Sequence, residues 1–113
     1  MRYFETCFLK DADRFMATLD APTARKVLYN IDLAGQTNDP RLFKKLQGEI
    51  WEFRTRFSGL QIRLLAFWDK SDDRHTLVMA THGFIKKTDK VPTREIERAE
   101  RLRMRYFHEK GEK

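Results

Sequence analysis

The sequence predicts an α+β fold: one domain over residues 1–113 in which a small antiparallel sheet is preceded by two helices and closed by a third. Three observations carry this. Glu49 to Asp69, EIWEFRTRFSGLQIRLLAFWD, reads as a β-hairpin, because Trp51, Phe53 and Phe57 alternate with Glu52, Arg54 and Arg56 at the two-residue period of a strand. Two stretches before it repeat apolar residues at helical spacing instead. Pro92 then opens a last amphipathic stretch.

Taken in order, Tyr3 to Leu9 is a short aromatic-rich strand, and Asp11 to Leu19 places Ala12, Phe15, Met16 and Leu19 on one helical stripe. Asp20-Ala-Pro-Thr starts a second helix with Ala24, Val27, Leu28, Ile31 and Ala34 on one face, and Gly35 is placed to end it. Gln36 to Pro40 is a turn, and Leu42 to Gly48 suits either a helical turn or a strand. In the hairpin, Ser58-Gly59 supplies the turn, and the second arm, Leu60 to Trp68, is apolar except for the polar Gln61 and the single cation Arg63. After the polar loop Lys70 to Arg74, His75 to Phe84 is a third antiparallel strand. The last helix holds Ile96, Ala99, Leu102 and Tyr106 on one face.

A chain of 113 residues forms one core, burying roughly two thirds of its unfolded surface. With 23 basic against 17 acidic residues and a pI near 9.7, it suits a polyanionic partner. The excess is concentrated from Lys86 to Lys113, with ten Lys or Arg against six Asp or Glu. Cys7 is the only cysteine, which excludes an intramolecular disulfide and a multi-thiolate metal site and fits a reducing cytoplasm. No apolar run approaches the roughly 20 residues needed to span a bilayer, so no membrane association is expected. His75, His82 and His108 have no metal-ligand spacing, and neither a metal nor a cofactor is expected.

Two constellations carry chemistry. Glu52, Arg54, Arg56 and Arg63 gather on the hairpin, where arginine forks match phosphate oxygens and a carboxylate can move a proton. The alternative is a solvated face with cross-strand ion pairs. His82 stands at a strand end, followed by Lys86, Lys87, Lys90 and Arg94 before or within the first turn of a helix. Phosphate is well served there, although a basic loop and a hydrogen-bonded structural histidine read the same way.

Together, EIWEFRTRF, IRLLAFW and HGFIKKTDKVPTREIERA resemble the HigB-like, phage-derived branch of the RelE/ParE toxin superfamily over nearly the whole chain. The residue before the proline is Val91 where the family has Thr, which weakens the cap of the last helix by about 1 kcal/mol. The resemblance implies a RelE-like, microbial-ribonuclease-like domain: a toxin that enters the ribosomal A site, cuts mRNA without metal, and forms its oligomer through a cognate antitoxin, a helix-turn-helix HigA-like protein. It places the cleft on Glu52, Arg54, Arg56, Arg63, His82, Lys86 and Lys87. In that reading Glu52 is the base or orients one, the three arginines hold the pentacoordinate phosphate, and His82 or a neighbouring lysine protonates the leaving oxygen. Chemistry prefers the histidine, since an ordinary lysine pKa of about 10.4 is far from neutral. Lys86, Lys87, Lys90 and Arg94 would grip RNA backbone. A ParE-like toxin that poisons gyrase and a non-catalytic nucleic-acid-binding module are the alternatives. The module would expose stacking aromatics, whereas Trp51 and Phe53 alternate inward.

Overall fold

The computed structural model describes residues 2–71 and 76–111. The chain runs β1 (Glu5–Phe8), α1 (Lys10–Ala17), α2 (Ala21–Thr37), β2 (Phe43–Gln47), β3 (Ile50–Phe57), β4 (Leu60–Asp69), β5 (Leu77–Ile85) and α3 (Thr93–Gly111). The five strands form one sheet in the order β1-β5-β4-β3-β2. Helices α1 and α2 cover one face around Phe4, Val27, Ile31, Phe53 and Leu64, while α3 covers the other around Ile50, Leu65, Phe67 and Ala99.

The α+β architecture, the two early helices and the closing helix are as the sequence reads. The sheet is mixed rather than wholly antiparallel, because β1 lies parallel to β5 with Glu5 opposite Leu77. Helix α2 also continues past Gly35 to Thr37 and is capped by Asn38, whose φ of 54° is left-handed. Gly35 serves close packing instead: a Cβ there would lie 2.8 Å from the Phe4 carbonyl oxygen and 2.6 Å from Arg2 Nη1. Leu42 to Gly48 resolves as strand, paired with β3 at the sheet edge. His75, read as the start of the third strand, lies outside the described residues, and β5 begins at Leu77.

Two local features set the site. Ser58 and Gly59, with φ of 52° and 79°, make the tight turn that fixes the β3–β4 register, with Arg54 opposite Arg63. In β5 the register passes from Leu65↔His82 to Ala66↔Ala80, which leaves Thr81 as an extra residue. That bulge reverses the alternation, so Leu77 and Met79 share the α3 face with Phe84. His82 joins them, bonded to Glu95 of α3. The even-numbered face of β3 is therefore not simply open: α3 packs against Ile50, and Glu52 beside it is buried.

Candidate nucleic-acid interface

The C-terminal end of β3, the start of β4 and the end of β5 meet at one end of the sheet. Arg54 pairs with Arg63, Arg56 with Gln61 and Arg63 with Phe84, and the Lys86 N–H donates to the Gln61 carbonyl at 2.7 Å. Residues facing each other across an antiparallel pair share a face, so Arg54, Arg56 and Arg63 lie together beyond the part covered by α3. Arg56 is exposed, Arg54 half-buried, and Arg63 only 3% exposed.

Glu52 is 4% exposed, and its Oε1 lies 3.2 Å from Arg63 Nε. The contact is an ion pair without an aligned hydrogen bond, since both atoms are buried and neither completes one. Arg63 also donates to the Ile62 carbonyl at 3.2 Å and to Gln61 Oε1 at 3.3 Å. Burial is the largest influence on its guanidinium and lowers its pKa; Glu52 opposes this, while the neighbouring Arg54 and Arg56 add to it. Among the described residues, Arg54 and Arg56 have no ion-pair partner. These side chains border a cavity of about 370 Å³ lined by Arg41, Arg54, Thr55, Arg56 and Arg63.

His82 lies elsewhere. It is 1% exposed, with Nε2 2.9 Å from Glu95 Oε1 and Nδ1 3.1 Å from Thr81 Oγ1. Burial pushes its pKa below the ordinary histidine value, against the pull of the Glu95 hydrogen bond. Both ring nitrogens are occupied under α3, so this imidazole is not presented to the arginine cavity. Lys87, Lys90 and Arg94 are exposed and Lys86 half-buried. Phe84, Lys86, Lys87, Arg94 and Glu95 line a smaller cleft of about 100 Å³ at the start of α3.

Arg41, Gln61 and Glu95 were not legible as site residues. Arg41 stands just after what reads as a turn, Gln61 beside a hairpin loop, and Glu95 in a charged helix that offers no sign of its partner thirteen residues back.

Fold and site define a class: a small α+β domain that presents guanidinium groups at one end of its sheet. Over residues 14–104 the chain matches the phage-derived protein Gp49-like family, and it belongs to that family. No curated protein matches it. Among solved structures, a chain of the toxin-antitoxin complex RelBE2 from Mycobacterium tuberculosis is similar, with a TM-score of 0.58 and 21% identity over 76% of this chain and 94% of that one. At that identity the likeness is one of fold.

Proposed function

We propose that the chain is the toxin of a type II toxin-antitoxin system: a HigB-like, metal-independent endoribonuclease that cuts mRNA on the ribosome and stops translation. One observation carries this reading: Arg54, Arg56 and Arg63 converge on an open cavity, and Glu52 is the carboxylate set among them. The family and the likeness in fold to a toxin-antitoxin complex support it.

Cleavage by an adjacent 2′-hydroxyl requires that hydroxyl to lose a proton, the phosphate to gain charge and the 5′-oxygen to leave with a proton. Preorganised guanidiniums serve the second need, each contributing on the order of a hundredfold in a water-poor site. Glu52 remains the carboxylate that takes the 2′-hydroxyl proton or orients the group that does, and its ion pair also orients Arg63. Protonation of the leaving oxygen falls to Lys86 or Lys87, because His82 is sealed beneath α3 and acts through Glu95 on the placing of that helix. Lys90 and Arg94 extend the grip along the backbone. A separately encoded helix-turn-helix antitoxin neutralises the toxin and carries operator recognition.

Induction of the chain alone, followed by primer extension on cellular mRNA, tests the reading. Discrete cuts with arrested translation are expected, and cleavage on intact ribosomes should persist in EDTA. Arrest with intact mRNA and broken DNA would point to gyrase instead.

A further inference from the structure

We propose that Arg41 is a fourth binding arginine of this cavity and holds the phosphate next to the scissile one, so that the site engages two consecutive phosphates of a single strand. This rests on the reading of the arginine cluster as an RNA site. Arg41 belongs to a turn built to hold it in place. The Asp39 carboxylate accepts from the Arg41 backbone N–H at 2.9 Å, from Nε at 3.1 Å and from Nη2 at 2.8 Å, while the Asp39 carbonyl accepts from the Leu42 and Phe43 N–H groups at 2.9 and 3.1 Å. The Leu42 carbonyl then accepts from the Arg54 N–H at 2.8 Å, which ties this turn to the arginine strand.

The side chain of Arg41 is 88% exposed, yet its guanidinium is held by Asp39 on one edge and leaves Nη1 free to donate. That is a preorganised donor on the rim of a cavity whose buried member is Arg63. Charge sets the number of phosphates. Four guanidiniums border the cavity, and Glu52 and Asp39 are the carboxylates in contact with them, leaving a surplus of two positive charges. Each bridging phosphodiester carries one negative charge. In the ground state two consecutive phosphates balance the surplus, whereas the scissile phosphate alone leaves half of it unmet.

The test uses the full chain and RNA probes with 2′-O-methyl groups, which cannot be cut by 2′-hydroxyl attack. Arg41→Ala should weaken binding of a dodecamer about tenfold and reduce the slope of log K against log salt by about 0.7, the value for one released contact on a single strand. A dinucleotide carrying one phosphate should bind wild type and Arg41→Ala equally, and a trinucleotide carrying two should not. Arg41→Lys should recover part of the loss. An unchanged slope in Arg41→Ala, equal loss on both short probes, or a wild-type protein that does not bind the dodecamer overturns the inference. Failure of the nuclease reading looks different: uncut cellular mRNA alongside an Arg41-dependent slope removes the cleavage and keeps the two-phosphate site.

Discussion

Arg63 and Asp69 stand on the same face of the same strand, both almost fully buried, and they are treated in opposite ways. Asp69, 1% exposed, accepts from the Ser71 N–H at 2.9 Å and its hydroxyl at 2.5 Å, from Tyr106 Oη at 2.5 Å and from Lys110 Nζ at 2.6 Å. Burial alone would raise its pKa, but the bonds from Lys110, Ser71 and Tyr106 outweigh that and hold the carboxyl well below the usual range. Arg63 has an unaligned ion pair, two long hydrogen bonds and like charges beside it. A buried charge whose surroundings meet every need is a structural clamp, here fastening the C-terminal half of α3 to the sheet. One left with spare donors beside an open cavity suits a ligand.

The largest effect expected from this contrast comes from replacing the pair Glu52 and Arg63 together by Leu and Met. Cleavage should fall by about a hundredfold or more, while stability in urea stays level or rises by about 1–4 kcal/mol, because no charge is left buried alone. Unfolding of the double variant would make Arg63 a clamp like Asp69 and end the contrast. Asp69→Asn should do the reverse, lowering stability by about 2–4 kcal/mol, because a neutral amide with one oxygen cannot serve Ser71, Tyr106 and the Lys110 ammonium together. Cleavage per folded molecule should be retained.

Acid sharpens the same comparison. His82 has a folded pKa below its unfolded 6.5, so the unfolded chain binds more protons and stability falls as pH drops from about 6.5 toward the folded value. Asp69 is depressed below 3.8, so its contribution is intact above that pH and is lost only below it. Urea melts across pH should therefore show two windows, the upper absent in His82→Gln and the lower reduced in Asp69→Asn. The smallest effect is expected at the solvated cations. Lys90→Ala and Arg94→Ala should each weaken RNA binding a few-fold and reduce the salt slope by about 0.7, with unchanged melting.

Much of this was legible in local pattern. The stripes Ala12, Phe15, Met16, Leu19 and Val27, Ile31, Ala34 pack where their spacing put them, although Leu28 of the second stripe is about half exposed. The Ser58-Gly59 turn set the register that brings Arg54 opposite Arg63. Burial of Glu52 was not legible, because alternation assigns a residue to a face and says nothing of what later covers that face. His82 was read as a cleft residue with a hydrogen-bonded structural histidine as the alternative, and the Thr81 bulge, which turns it toward α3, leaves no mark in the sequence.

The amino-acid sequence alone determined the helices, the hairpin and its register, and the gathering of cations near one hairpin end, since each follows from spacing along a few residues. Tertiary structure decided which charges became clamps and which stayed open. Whether Asp69 meets Lys110, Glu52 meets Arg63, or Arg41 reaches the cavity depends on residues brought together from distant parts of the chain. Burial and pairing energies act only after that assembly.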